Sequence, residues 1–391
     1  MARPARTTIA LVAVAALSAS LATALVAVRV ARNVVTPPQR RRYDIVVIAV
    51  DEAAATITLS RTDDTVVPGR YSLWFDSDHG HARVGEILEQ TADSVTRRLD
   101  SVQRGDLAGG TRARWAGWWY LTPADLGVAY RDLDIVTPLG VAPAWIVDGP
   151  PGSSDWVIQV HGRGVTRAEG LRAVSVFTAA GFTSLLISYR NDGDAPASPD
   201  RRYALGGEEW RDVEAAIRYA RDHGAQRIVL MGWSMGGAIV LQCMTRSPLA
   251  TAVVGVALES PVVDWARVLH FQAAATRLPP VVRDAAMWIL ASDGASRWAG
   301  LAQPIDFPEL DMVARAADLR APMLILHSLD DGFVPSDGSV ALAQRRPDLV
   351  RFERFATARH TKLWNYDTPR WERAISAWLA DVIGPARDTA D

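Results

Sequence analysis

A chain of 391 residues, 49% hydrophobic and 22% charged, can bury a sizeable core and is too apolar to be disordered. Its formal net charge of −2 gives no bulk attraction to nucleic acid. The single cysteine, Cys243, excludes an internal disulfide framework and a cysteine-based zinc site.

Ile9 to Val28 is apolar apart from Ser18, Ser20 and Thr23. Twenty helical residues at 1.5 Å each reach about 30 Å, the thickness of a hydrocarbon core. The run is therefore expected to be a transmembrane anchor, with the lipid bilayer as a partner through residues 9–28 and the cell membrane as location. It is longer than the apolar region of a cleaved signal peptide, and no small-x-small site closes it. Arg3 and Arg6 flank one side, Arg29, Arg32 and Arg40 to Arg42 the other. Their count leans towards a cytoplasmic catalytic domain, while a short basic N-terminus equally suits a signal anchor with an exported one. Thr36 to Arg42, with two prolines, reads as an extended, solvated linker that completes a terminal unit over 1–42.

Residues 43–130 are expected to form a small β-rich domain. Tyr43 to Val50, Thr56 to Ser60 and Arg70 to Phe75 are strand candidates, with Pro68-Gly69 as a turn. Gly85 to Val102 carries a helical face (Ile87, Thr91, Val95, Leu99), yet Thr91 to Ser94 suits a hairpin turn, and the surroundings favour strands. Trp115, Trp118, Trp119 and Tyr120 suit the domain core or its contact with the next domain better than a carbohydrate- or lipid-facing platform. His79 and His81 lack an evident third ligand and read as loop histidines.

From residue 131 onward strands alternate with helices, which means a mostly parallel sheet covered on both faces. An opening hairpin (Asp134 to Val136, Ala142 to Val147) precedes strands at Asp155 to Val160 and Thr183 to Ser188. Further strands fall at Arg227 to Met231, Ala252 to Leu258, Met323 to His327 and Val350 to Phe355. Gly232-Trp-Ser234-Met-Gly236 sits between a strand and a helix, where a tight turn presents the serine hydroxyl above the sheet. His161-Gly-Arg-Gly164 ends the strand at Val160, Asp330-Asp331 follows the strand at His327, and His360 follows the last strand.

Serine, acid, histidine in that order, with a His-Gly-x-Gly loop upstream, resembles the α/β-hydrolase superfamily, in particular its serine esterase and peptidase-like members. The resemblance covers about residues 131–385. It implies an α/β-hydrolase fold over 131–391, with a helical cap insertion at about 261–320. It further implies a nucleophile at Ser234, a general base at His360 and an orienting acid at Asp331. The family pattern H-x-x-x-D-x-x-V-P, met by His327 to Pro335, selects Asp331; Asp330 becomes a turn residue and Glu259 a distant alternative acid. The oxyanion hole would use the backbone N–H groups of Met235 and Arg163. Within the insertion Arg283 to Leu290 and Glu309 to Leu319 read as helices; by the same resemblance Trp265, Phe271, Met287, Trp288 and Trp298 would line a cap pocket, and surface helices packed on the sheet are the alternative.

The remaining candidates have structural readings. His161 would hold the oxyanion loop, His327 would be buried and satisfied, His223 would cap a helix end, and Cys243 would pack on a buried helix. Arg163 and Arg190 suit either an anionic substrate group or loop anchoring. The expected activity is a membrane-anchored serine hydrolase acting on a small-molecule ester, thioester or amide through an acyl-enzyme. It needs no metal or organic cofactor and no nucleic acid. The alternatives are an acyltransferase or peptidase with the same triad, or a non-catalytic envelope-binding protein.

Overall fold

Alternating apolar residues close the first six strands into a barrel. In the computed structural model, which describes residues 20–38 and 41–384, these are β1 (Ile45–Asp51), β2 (Thr56–Ser60), β3 (Tyr71–Phe75), β4 (Gly80–Gln90), β5 (Ser94–Arg104) and β6 (Arg112–Ala116). They pair in the closed order β1-β2-β5-β4-β3-β6. Every second residue turns inward, so Val47, Ile57, Leu59, Leu73, Phe75 and Val84 fill the interior. The ambiguous Gly85 to Val102 stretch lies on the β4–β5 hairpin, whose turn is closed by the Thr91 N–H donating to the Ser94 carbonyl at 2.9 Å.

A charged side chain is fully enclosed there. Arg97 donates to the carbonyls of Thr65 (3.2 Å), Gly69 (3.1 Å), Gly85 (2.7 Å) and Val67. Burial pushes its guanidinium down to about 10, still protonated at neutral pH. Arg97→Met is expected to destabilise the barrel by about 3 kcal/mol, because four carbonyls, three of them in buried bonds, lose their donor. Urea titration of the purified protein checks this; an unchanged midpoint would refute it.

His81, expected in a loop, lies on β4 and is completely buried. Its ring packs edge-on against Trp74, and burial lowers its pKa to about 4.

The second unit is an eight-stranded sheet of order β14-β13-β12-β11-β9-β10-β8-β7. Its strands are β7 (Arg131–Thr137), β8 (Gly140–Val147), β9 (Asp155–Val160), β10 (Thr183–Ile187), β11 (Arg227–Trp233), β12 (Val253–Glu259), β13 (Met323–Ser328) and β14 (Val350–Phe355). The β7–β8 hairpin and the β8–β10 pair are antiparallel; β10, β9, β11, β12, β13 and β14 run parallel. Both faces of the parallel part are covered, which explains its unbroken apolar runs. Ile158, Leu230, Leu258 and Ile325 face a core shared with α3 (Trp210–Asp222) and α4 (Met235–Arg246). Val157, Val229, Ala257 and Leu324 face the opposite core, beneath α2 (Leu171–Ala179) and α9 (Thr368–Ile383). This is the α/β-hydrolase fold, preceded by a six-stranded β-barrel.

The insertion after β12 holds α5 (Trp265–Ala275) and α6 (Pro280–Ala291). Asp264 caps α5, its carboxylate accepting from the Arg267 N–H at 3.1 Å. The helix expected at Glu309 to Leu319 is instead a series of turns ending in a short 3-10 segment, Ala316–Asp318. There the Asp311 side chain accepts from the N–H groups of Val313 and Ala314, both at 2.9 Å, and Met312 N–H donates to the Val263 carbonyl at 2.8 Å. Those bonds take the donors that a helix would need. The chain continues through α7 (Asp337–Arg345) and a short α8 (Leu363–Tyr366).

The expected transmembrane span meets a different environment where it is described. Residues 9–19 lie outside the described residues, and 20–28 form the first part of a helix over 20–35, here α1. Among the described residues no helix is long and apolar enough to cross a membrane. Ala27, Ala31 and Val35, spaced four apart along one face, are fully buried in the core of the hydrolase unit. The end of the expected span therefore rests on protein. The linker after it is packed as well: Pro38 lies against Gly164, and Arg41 donates to the Gly164 carbonyl.

Candidate active site

β11 ends at Trp233, and Ser234 follows with φ 51° and ψ −116°, a strained conformation that aims its side chain off the sheet edge. The flanking glycines are dictated by crowding. A Cβ on Gly232 would lie 2.6 Å from the Gly236 carbonyl oxygen, and one on Gly236 would collide with the carbonyls of Val160 and His161.

Three loops at the carboxyl ends of their strands bring partners to this point. His360, after β14, has Nε2 at 2.9 Å from Ser234 Oγ. Its Nδ1 lies 2.7 Å from Asp331 Oδ2, after β13. A carboxylate only accepts, so Nδ1 carries the proton and Nε2 is left to receive the serine's. Asp331 is completely enclosed and takes four donors. Oδ1 accepts from the Phe333 (2.9 Å) and Val334 (2.8 Å) amides, and Oδ2 accepts from His360 and from His327 Nε2 at 3.2 Å. Burial pushes its carboxyl up, but the His360 charge and the two imidazole hydrogen bonds outweigh burial and hold it far below the usual carboxylate range.

His327 is buried and satisfied, with Ser339 Oγ at 2.8 Å from Nδ1 and the Val334 carbonyl at 3.0 Å from Nε2. Asp330 accepts from the Ser328 hydroxyl (2.6 Å) and the Arg359 amide (3.0 Å), as a turn residue does. Glu259 is spent elsewhere, accepting from the indoles of Trp233 (3.1 Å) and Trp371 (2.8 Å) and from the Leu363 amide (3.2 Å).

The His161–Gly164 loop lies beside the serine because β9 pairs directly with β11. Gly162 N–H donates to buried Glu169 at 2.7 Å, and Gly164 N–H to Asp192 (3.2 Å) and the Tyr203 hydroxyl (3.1 Å). Between these two pinned amides, the Arg163 N–H has no acceptor among the described residues, and neither has the Met235 N–H. Two unspent donors beside a serine hydroxyl are what an oxyanion would need. His161 is stacked on Tyr189 at 4.3 Å, and its Nδ1 lies 2.9 Å from the Gly162 carbonyl. Burial lowers its pKa to about 4, so it holds the loop as a neutral ring.

The barrel grips the His360 loop from outside. The Asn365 side-chain Nδ2 donates to the carbonyls of Arg70 (2.8 Å) and Gly117 (3.1 Å), and the Asn365 backbone carbonyl accepts from the Arg70 N–H at 3.0 Å. Arg70 lies over the Trp364 ring, and Lys362 pairs with Asp64 at 3.1 Å. The tryptophan cluster serves this contact: Trp119 is buried with Trp364 and Trp371, Trp118 packs against Trp74, and Trp115 joins the barrel core.

Two recesses meet at the Ser234–His360 pair. The first, about 260 Å³, is lined by Ser234, Arg163, residues of α5 and α6, and Val30, Asn33 and Val34 of α1. Of the expected apolar lining, Trp265 and Met287 are present. Trp288 and Trp298 instead pack on one another at the surface, more than half exposed, and Phe271 is not part of the chamber wall. Val268 and Leu269 were legible as the apolar face of a helix starting after Asp264. The contribution of α1 carried no local signal, since Val30, Asn33 and Val34 lie between the expected span and the linker. The second recess, about 480 Å³, lies between barrel and sheet and is lined by His360, Glu169, Trp118, Arg359 and Lys362.

Neither arginine considered for an anionic substrate is available. Arg190 is bound in a buried bidentate pair with Asp212 (2.9 and 2.7 Å), and the Arg163 guanidinium donates to carbonyls at the end of α1. Cys243 is buried on α4, where burial raises its thiol pKa.

Residues 172–386, more than half of the chain, match the prolyl oligopeptidase family, and residues 46–116 match a domain family of unknown function. No curated protein matches the sequence. Among solved structures, an esterase of Pyrococcus furiosus superposes with a TM-score of 0.53 at 17% identity, covering 68% of this chain and 95% of its own. A thermophilic esterase from Thermogutta terrifontis, 18% identical, covers 64% of this chain and 99% of its own with a TM-score of 0.46.

Proposed function

The chain belongs to the prolyl oligopeptidase family of serine hydrolases, and from that premise we propose that it hydrolyses an ester whose acid part is apolar and whose alcohol part is polar, at a membrane. Ser234 attacks the carbonyl carbon while His360 Nε2 takes its proton; Asp331 holds the ring and stabilises its charged form. The Arg163 and Met235 amides receive the oxyanion. Collapse of the tetrahedral intermediate breaks the bond to the alcohol, which leaves with the proton from His360. Water, deprotonated by the same ring, then releases the acid.

The observation that carries the ester reading is the pair of unlike recesses. The apolar chamber borders Ser234 and Arg163 but not His360, which is where the acyl group would lie. The polar recess borders His360, the group that must reach the leaving oxygen. A panel of p-nitrophenyl esters from acetate to dodecanoate, read as kcat/KM, tests this. A maximum at medium chain length is expected. The family name favours a second reading, an amide-bond hydrolase; inert esters alongside active aminoacyl p-nitroanilides would establish it.

Membrane attachment through residues 9–28 belongs to the same proposal. Support comes from the apolar run and from the exposed Leu21, Leu25 and Val26 on the outer part of α1. Full-length protein is expected in the membrane fraction and released by detergent; recovery in the high-salt wash would refute attachment.

A further inference from the structure

Helix α1 makes two kinds of contact with the site that an anchor alone would not need. Its Val30, Asn33 and Val34 form one wall of the apolar chamber, facing Val268, Leu269 and Met287 of the insertion. Its last carbonyls meet the oxyanion loop. A helix C-terminus leaves its final carbonyls without intrahelical donors and carries partial negative charge. Here one Arg163 nitrogen, Nη2, donates to the carbonyls of Asn33 (2.7 Å), Val34 (3.1 Å) and Thr36 (2.8 Å).

The grip extends to both sides of Arg163. The Val35 carbonyl accepts from the Tyr203 N–H at 2.8 Å, and the Tyr203 hydroxyl accepts from the Gly164 N–H at 3.1 Å. Pro38 closes on Gly164, and Arg41 donates to its carbonyl. The Arg163 guanidinium is largely buried, and burial lowers its pKa. Unlike Gly162 and Gly164, Arg163 has no protein acceptor for its own amide among the described residues. Its side chain is a further hold on the residue between those two pinned amides, and that side chain is held by α1.

We propose that α1 is a working part of the hydrolase site: Val30 and Val34 set which acyl chains fit the chamber, and the helix's C-terminal carbonyls position the oxyanion loop through the Arg163 side chain. This rests on the ester-hydrolase reading above and adds to it the residues that select the acyl group. Arg163 is in this respect a positioning residue; only its amide would touch the reacting atoms.

The test uses the full-length protein in detergent with p-nitrophenyl acetate and octanoate. Val34→Phe, which fills the chamber, is expected to lower the octanoate-to-acetate ratio of kcat/KM by about tenfold or more. Arg163→Met keeps the side-chain length but removes its donors. It is expected to lower kcat by about 10- to 100-fold with KM within threefold, since an oxyanion donor acts on the transition state more than on bound substrate. Arg163→Lys, which can still donate to those carbonyls, is expected to recover part of the loss. A wild-type ratio in Val34→Phe, or a wild-type kcat in a folded Arg163→Met, overturns the inference while leaving the ester reading intact. If Arg163→Met does not fold, Val34→Phe decides alone. Wild-type protein inert towards every ester would bring down the ester reading, and this inference with it.

Discussion

Ser234→Ala is expected to abolish labelling by a fluorophosphonate probe and to lower kcat on a medium-chain ester by about 10⁶-fold. The probe forms its bond only with a serine oxygen that can lose its proton to a base. Among the described residues, that geometry is present where Ser234 Oγ lies 2.9 Å from His360 Nε2. The substitution removes one hydroxyl at the start of α4 and relieves none of the close packing around Gly232 and Gly236, so the melting temperature should stay near that of the wild type. Labelling that persists in Ser234→Ala would move the nucleophile elsewhere. No labelling of folded wild-type protein would remove the acyl-enzyme from the mechanism.

Asp331→Asn is expected to lower kcat by about 10⁴-fold with a smaller effect on KM. The amide can present its NH₂ to His360 Nδ1, which then has to accept; the ring proton moves to Nε2, and the base facing Ser234 is lost. The same change leaves His327 Nε2 with one acceptor fewer. It also alters the acid response. The carboxyl of Asp331 is held far below its ordinary range in the folded protein, so it contributes stability that is present above the unfolded carboxylate value, about 3.9. That contribution is lost progressively as the pH falls below it towards the folded value. Wild-type stability should therefore fall on acidification below about pH 4 more steeply than that of Asp331→Asn. Urea midpoints across that range, measured on both proteins, check the difference; parallel curves would show that Asp331 does not carry it.

Much of this protein is legible in its sequence because the signals are local. Period-two alternation marks Thr56–Ser60 in the barrel, and continuous apolar runs mark the covered parallel strands. The turn Gly232–Gly236 can be recognised since only glycine tolerates the carbonyls that crowd it. His360 can be placed since it follows a strand whose carboxyl end the fold directs to one edge, while Asp331 is picked out from Asp330 only by the resemblance to the family pattern over His327 to Pro335. Helix α5 and strand β6 carry equally local signals, the first an apolar helical face after the Asp264 cap, the second a short strand running into the tryptophan cluster. At Glu309 to Leu319 a helical composition lost to the local bonds of the Asp311 side chain and to the Val263 carbonyl, and only the latter is brought there by the folded chain.

What sequence determined, then, is the order of elements and the residues that meet at their ends, because both follow from backbone geometry and nearest neighbours. What only the tertiary structure decided is which surfaces those elements share. Glu259 could be set aside only when Trp233 and Trp371 were found on its carboxylate. Arg190 and Arg163 could be read as anchors only once Asp212 and the end of α1 were seen beneath them. The run ending at Val28 obeys the hydropathy of a bilayer span over its whole length, yet its last residues, Ala27 and Val28, lie against the hydrolase core. Hydropathy cannot separate lipid from protein as the apolar neighbour of a helix, since both remove the same surface from water.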